Sequence, residues 1–406
     1  EPDGAWQHFA FHHLSEFYAD FGTYDVTIKA PTSYVVGATG RLAAQRTEGD
    51  KTVRQFVQDN IHDFAFTAWD GFQVKAVTTD EGVVIRCLYP PGFDEAADLQ
   101  IEAARFGLSH YGAAYGRYPY EKIVLVHPPP KAEKAGGMEY PMLITTGGPW
   151  YAPFTGARSI ELVTLHELGH QWFYGLVATN EHLSPFLDEG LTSYAEARAI
   201  EERYPNASLF EGLGISVGDP AWHRMGSANA APDGTVADPA TAFAGRIDYG
   251  ALVYHRTSTI LATLGRVYGE EALAQALGRY ARRYRFEHPT PKHLIAAIRD
   301  GMGGDAAETL RAATFDRGWV DYAVGKVTQY GATQPAGIFG NPRKPSQPPR
   351  AKGDGLVHAE VLVRRRGTLV LPVDVELTLD DGTTKTLRWD AKTSICLLYT
   401  SDAADE

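Results

Sequence analysis

His166-Glu167-Leu168-Gly169-His170 is the stretch on which the reading of this chain turns. On an α-helix, residues i and i+4 share a face, so the two imidazoles can point at one metal ion. Glu167, one position after the first histidine, lies beside that ion and can serve as a general base. These residue types imply water activated at a metal and delivered to a carbonyl. The surrounding helix is apolar: Leu162, Val163, Leu165 and Leu168 flank the motif, and Trp172, Phe173 and Tyr174 follow it. Two histidines and a carboxylate are costly to bury in such a setting unless paired or ligated, which argues against a pair of surface histidines.

A catalytic zinc takes three protein ligands and keeps a fourth position for water. Glu189 follows His170 after 18 intervening residues and opens the next helical stretch, Leu187 to Arg203. Residues 178–186, with Asn180 and Pro185, can turn the chain so that the two helices face each other. An acid is also favoured at a helix N-terminus, but Asp188 suits that ordinary role better than Glu189. The expectation is one Zn2+ per chain, held by His166, His170 and Glu189. Asp188 or Glu196 is expected to support a ligand histidine from behind. His182, alone in a loop, is expected to be exposed.

The 406 residues suffice for two or three domains, and 44% apolar with 22% charged residues is ordinary globular composition. A net charge of -12 argues against nucleic acid as a partner, and the Arg282-Arg283 and Arg364-Arg365-Arg366 clusters are too short to alter that. No apolar run is long enough for a transmembrane helix. Cys87 and Cys396 offer neither a disulfide framework nor a zinc ribbon.

The sequence predicts a multidomain α+β architecture. Residues 1–92 read as the remnant of a β-sheet domain, with alternation in Tyr24–Ala30 and Val83–Tyr89, each stopped by proline. Residues 93–330 read as an α+β domain whose second half is mostly helical. Its expected helices are Glu95–Tyr115, Arg158–Val177, Leu187–Arg203, Tyr249–Tyr268, Glu270–Arg285, Pro291–Gly301 and Ala306–Tyr322. Its expected strands are Lys122–His127 and Met138–Thr146. Residues 331–353 carry five prolines and read as a linker, and 354–395 as the first strands of a β-sandwich with a turn at Asp380-Asp381-Gly382. Cys396 to Glu406 reads as the one-frame translation of a transposase adapter used in sequencing libraries. On that reading the natural protein extends beyond both ends of this chain.

Two further motifs carry less. Gly214-Ile215-Ser216-Val217-Gly218 has the spacing of a nucleophile elbow, but a helix is expected over Ala207–Leu213 where the elbow needs a strand. Asn206-Ala207-Ser208 is a sequon, relevant only in a glycosylating pathway.

His166 to Phe173, with Glu189-Gly190 at its spacing, resembles the aminopeptidase N family of gluzincin zinc metallopeptidases. That family also carries a G-x-M-E-N segment on an edge strand. Gly136-Gly137-Met138-Glu139-Tyr140 matches it except at Tyr140, and Glu139 lies 27 residues before His166. The resemblance covers about residues 24 to 395. It implies a thermolysin-like catalytic domain followed by an immunoglobulin-like β domain. It also implies that Glu139, with Met138 and the backbone of Gly136 and Gly137, binds the free α-amino group of a peptide. A carboxylate beside the metal can pair with an ammonium and set the scissile bond one residue away. The family's oxyanion-stabilising tyrosine aligns with Tyr254 in Val253-Tyr254-His255-Arg256-Thr257, where Arg256 and Thr257 replace the usual Lys and Gly. Tyr249 is the rival. A second amine-binding group would come from the N-terminal part, with Gln7 as a weak candidate.

The expected function is therefore zinc-dependent hydrolysis of N-terminal peptide bonds, with Glu167 as base and Tyr254 opposite the developing charge. The partners are peptides with a free N-terminus. A thermolysin-type endopeptidase and a non-catalytic scaffold are the alternatives; the latter is disfavoured because all three ligands and the base are present.

Overall fold

Alternation of apolar and polar side chains from Tyr24 to Ala30 produces the expected strand, β1 (Gly22–Pro31), with Ile28 and Ala30 buried and Thr27 and Lys29 turned outward. It is followed by β2 (Val35–Ala38), β3 (Arg41–Glu48), β4 (Lys51–Ile61) and β5 (Phe66–Trp69). Antiparallel pairing orders these as β1-β4-β3 and β2-β5. The computed structural model describes residues 8–230, 234–330, 339–341, 344–346, 358–379 and 382–399. The chain divides into two units, Glu1–Asp316 and Arg317–Glu406.

The strands β6 (Gln73–Thr78) and β7 (Val84–Tyr89) join β8 (Lys122–Val126) and β9 (Leu143–Thr145) in one sheet of order β6-β7-β8-β9. β6 and β7 are antiparallel, and β7-β8 and β8-β9 are parallel. A boundary near residue 92 would cut this sheet; strand patterning locates strands but not their partners. α1 (Asp94–Tyr115) is the crossover between parallel β7 and β8 and lies on the sheet. The buried apolar runs of β7 and β8 follow from being covered. The expected strand over Met138–Thr146 shrinks to β9, and Met138 only bridges to Thr145.

Against α1 packs α2 (Ser159–Gly169), which carries both histidines. A Cβ on Gly107 would lie 2.7 Å from Leu168 Cδ2 and 2.9 Å from Leu165 Cδ2, so glycine permits this close approach. Tyr111, fully buried, donates its hydroxyl to Leu165 O at 3.0 Å. The helix ends at Gly169 rather than continuing to Val177. Beyond it, Gln171 and Trp172 bond outside the helix, Trp172 Nε1 reaching Gly116 O at 2.7 Å. Tyr174 adopts φ 118. Apolar composition extends the helical pattern, but these tertiary hydrogen bonds override it.

α3 (Glu189–Arg203) opens with Glu189, the expected third ligand. After it, Ala207–Leu213 is not helical: β10 (Phe210–Gly212) and β11 (Ile215–Val217) form a hairpin. Leu213 and Gly214 both have positive φ, as a two-residue hairpin turn requires. Ser216 sits mid-strand opposite Glu211, which still excludes a nucleophile elbow. Next come α4 (Asp219–Ser227), α5 (Arg246–Tyr249), a π-helical segment over Gly250–Arg256 and α6 (Thr257–Tyr268). α7 (Glu270–Arg283), α8 (Pro291–Met302) and α9 (Gly304–Phe315) complete the unit. The helix expected to reach Tyr322 stops at Phe315, before Gly318.

In the second unit β12 (Tyr322–Tyr330) pairs with a strand at His358–Arg365, which pairs with one at Ile395–Tyr399. Val373–Thr378 and Thr384–Trp389 form a separate antiparallel pair. Val361, Val363, Trp389 and Ala391 are at the centre of its small apolar core. Asp380, Asp381 and most of the proline-rich stretch lie outside the described residues. Among the described residues no helix is long and apolar enough to cross a membrane.

Candidate active site

The site forms where α2, α3 and the π-helical segment converge. A Cβ on Gly169 would lie 3.1 Å from Thr192 Cγ2, and one on Gly190 would lie 2.5 Å from Thr257 Cγ2 and 2.7 Å from Val253 O. These glycines let three helical backbones approach. Thr257, which replaces the family's usual glycine, fills the space that Gly190 leaves.

His166 Nε2, His170 Nε2 and Glu189 Oε2 face one another. The separations are 3.0 Å for His166–Glu189, 3.2 Å for His170–Glu189 and 3.2 Å between the two imidazoles. Zinc with bonds of about 2.0–2.1 Å has ligand–ligand edges of about 3.3 Å when tetrahedral, so the triangle fits. Behind it, Asp188 Oδ1 lies 2.6 Å from His170 Nδ1. With the Nδ1 proton donated there, His170 directs a lone pair at the triangle. Glu196 Oε2 stands 3.7 Å from His166 Nδ1. The two acids expected behind a ligand histidine thus serve one histidine each.

Electrostatics supports a cation at this point. Burial opposes charge on His166, but hydrogen bonds from Glu189 and Glu196 outweigh it and push the imidazole up to about 10. Burial also opposes ionised Glu189, yet His170 and His166 hold it well below the usual carboxylate range.

Glu167 is buried on the same helix, and a Cβ on Gly137 would lie 3.7 Å from its Oε1. Gly137, at φ 76, brings backbone close to this carboxyl. Burial pushes Glu167 up to about 7, with His166 and His170 acting against the rise. A carboxyl in that range can accept and return a proton near neutral pH.

Glu139 arrives from the Gly136–Tyr140 segment. Gln171, next to His170, pins that segment: its Nε2 donates to Glu139 O and Tyr140 O, and its Oε1 accepts from Met142 N at 2.8 Å. Gly136 has no room for a side chain, since a Cβ would lie 2.4 Å from Thr146 O. Met138 is half-buried beside Glu139. Tyr140, where the family usually has Asn, packs its ring on Phe17, centroids 5.8 Å apart.

Tyr254 donates its hydroxyl to Glu189 Oε1, and its ring stacks on His166 at 5.8 Å and 14°. Tyr249 packs edge-on behind Tyr254 and against Phe243. Of the two candidates, Tyr254 is the one against the ligand set, held on a π-helical turn of the kind that recurs at functional sites.

Two residues escaped the sequence reading. Glu16, in the segment before β1, brings its carboxylate beside that of Glu139. Glu181, in the loop between α2 and α3, is buried and accepts from Phe17 N at 2.6 Å. Glu16, Glu139, Glu181 and Asp188 bring carboxylate oxygens within 4.8 Å of one another. Burial and then Glu189 raise Glu16 to about 8, and burial and then Glu16 raise Glu139 well above the usual range. Gln7 lies outside the described residues. Nothing in the local sequence marks Glu16. His182 is half-buried, stacked on Phe9 at 4.6 Å, rather than exposed.

These side chains define a mononuclear metal centre of the two-histidine, one-glutamate class, with a carboxylate pocket at its edge. Residues 100–315, more than half of the chain, match the peptidase family M1 domain, and the chain belongs to that family. Aminopeptidase 2 of Candida albicans is 23% identical over 237 residues, covering 56% of this chain and 25% of that protein. Aminopeptidase N of Lactobacillus delbrueckii subsp. lactis is 31% identical over 147 residues, 35% of this chain and 17% of that protein. The chain spans about a quarter or less of the length of these two curated relatives. An M1 zinc metallopeptidase from Deinococcus radiodurans shares the fold with TM-score 0.58 at 21% identity, covering 74% of this chain and 65% of that one. Aminopeptidase A of Legionella pneumophila, in complex with aspartic acid, gives TM-score 0.67 at 16% identity over 94% of this chain and 42% of that one.

Proposed function

We propose that this chain contains the catalytic centre of a zinc aminopeptidase acting on peptides with a free N-terminus. The carrying observation is the buried carboxylate pocket beside the metal triangle. Glu139 Oε1 is buried with no hydrogen-bond partner, and Glu16 stands against the same side chain. Acids gathered next to the reacting centre with no basic partner on Glu139 Oε1 are the complement of an α-ammonium group.

His166, His170 and Glu189 would hold zinc, which when bound supplies Lewis acidity toward a water and the scissile carbonyl. Glu167 takes the proton of the attacking water and returns it to the leaving amine. The Tyr254 hydroxyl stabilises the charge that develops on the carbonyl oxygen. Glu139 with Glu16 clamps the substrate amine, and Met138 and the backbone of Gly136 and Gly137 line its path. The names of the matched relatives support the same reading. The antiparallel strands after Arg317 support reading that unit as the start of an immunoglobulin-like β-sandwich.

A panel of aminoacyl fluorogenic substrates tests this, run with and without chelator and with an N-acetylated control. Cleavage that needs the metal and a free amine is expected. Cleavage of the acetylated control at a similar rate would instead indicate an endopeptidase.

A further inference from the structure

Behind His166, on the side away from Glu189, lies a second buried cluster that the reaction above does not use. It comprises Glu196 on α3 and Asp219 and His223 on α4, each more than nine-tenths buried. Asp219 and His223 are an i,i+4 pair, so both face α3. The ligand atoms of all three lie within 4.8 Å of one another.

The geometry is not that of a hydrogen-bonded triad. His223 Nε2 lies 3.1 Å from Asp219 Oδ2 and 4.0 Å from Glu196 Oε2. Yet His223 Nε2, Asp219 Oδ2 and Glu196 Oε1 are all buried atoms without a hydrogen-bond partner. They approach without pointing at one another. An ion bound among these three side chains would take up the lone pairs that have no partner. Separations near 3 and 4 Å match the adjacent and opposite edges of about 3.0 and 4.2 Å around a six-coordinate ion with bonds of about 2.1 Å.

The cluster is also held in place. His223 Nδ1 is 3.0 Å from His255 Nδ1, so when His223 donates there, its Nε2 is a bare lone pair facing two carboxylates. A Cβ on Gly226 would lie 2.3 Å from His255 Cδ2, so glycine admits that ring. Asp219 N donates to Ser208 Oγ at 2.7 Å, fixing the start of α4. A cavity of about 170 Å³, lined in part by His223, Tyr194 and Ser258, borders the cluster.

We propose that Glu196, Asp219 and His223 form a second divalent-cation site, which takes a first-row transition ion such as Mn2+, Co2+ or Zn2+ through one imidazole and two carboxylates. The mixed nitrogen and oxygen donors favour such ions over Ca2+ or Mg2+. Glu196 belongs to both sites: it stands behind His166 and ligates the second ion. Occupancy of the second site therefore tunes the support of a ligand of the first. The proposal does not require aminopeptidase activity, only the two clusters.

The test is metal stoichiometry on the whole chain, stripped with chelator and titrated with Co2+. Wild type is expected to bind two ions, the first with the strong visible absorption of a four-coordinate centre and the second with the weak absorption of a six-coordinate one. Asp219→Asn and His223→Gln are expected to lose about 100-fold in affinity for the second ion and keep the first spectrum. His170→Ala is expected to lose the strong absorption and retain the weakly absorbing ion. A single ion on folded wild type overturns the proposal without any variant. Two ions undiminished in both Asp219→Asn and His223→Gln overturn it as well. Loss of only the strong spectrum in wild type would instead count against the first centre.

Discussion

The metal triangle and the carboxylate pocket beside it are both buried and both rich in acid, yet they are built for different cations. In the triangle two imidazoles and Glu189 direct lone pairs to one point, with Asp188 and Glu196 behind the rings. In the pocket Glu16, Glu139 and Glu181 oppose one another with no imidazole or basic side chain among them. The first geometry suits a small ion with fixed bond lengths, the second an ammonium that donates hydrogen bonds in several directions. The wall between them is thin, since Asp188 contributes to both clusters.

That contrast breaks most sharply at Glu167, which belongs to neither cation. Glu167→Gln is expected to lower kcat about 10³- to 10⁴-fold while metal content by elemental analysis stays at wild type. Retained turnover would remove it as the base. In the pocket, Glu139→Gln is expected to lower kcat/KM about 100-fold for substrates with a free amine, chiefly through KM. The preference over N-acetylated substrate should shrink with it; an unchanged preference would place amine recognition elsewhere.

Asp188→Asn probes the shared wall. It should weaken zinc binding about 10- to 100-fold in a chelator competition, because the charged acceptor that orients the His170 ring is exchanged for a neutral amide oxygen. The smallest effect concerns pH. Glu16 is raised from 4.5 to about 8 by burial and then by Glu189. A folded-state value above the unfolded one means stability is fully present below about pH 4.5 and lost as pH rises through about 8. The chelator-stripped chain should therefore melt several degrees lower at pH 9 than at pH 6, measured by circular dichroism, and Glu16→Gln should flatten that difference.

The legibility of these regions differs for a physical reason. His166, His170 and Glu167 sit within one helical turn and a half, so their convergence follows from helix geometry. Glu189 is readable because it starts the next helix across a short connection. The pocket draws its acids from the segment before β1, from the β8–β9 connection and from the α2–α3 loop, and no periodicity links these. Gln7, the weak candidate, lies outside the described residues, and it is Glu16 that stands beside Glu139. The same limit accounts for the hairpin at Phe210–Val217, where a short stretch with two glycines suits either helix or strand until Gly156 and Ala157 pack against it.

By itself the sequence pointed to the candidate metal ligands, the candidate base, the family resemblance and most helices, because each rests on near neighbours in the chain. Tertiary structure alone decided that β6 and β7 join the sheet of β8 and β9 and that α2 stops at Gly169. It also decided which tyrosine lies against His166, and that Glu196 faces His166 on one side and Asp219 with His223 on the other. Each of those depends on groups distant in sequence being buried together, where burial and mutual charge set what a side chain can do.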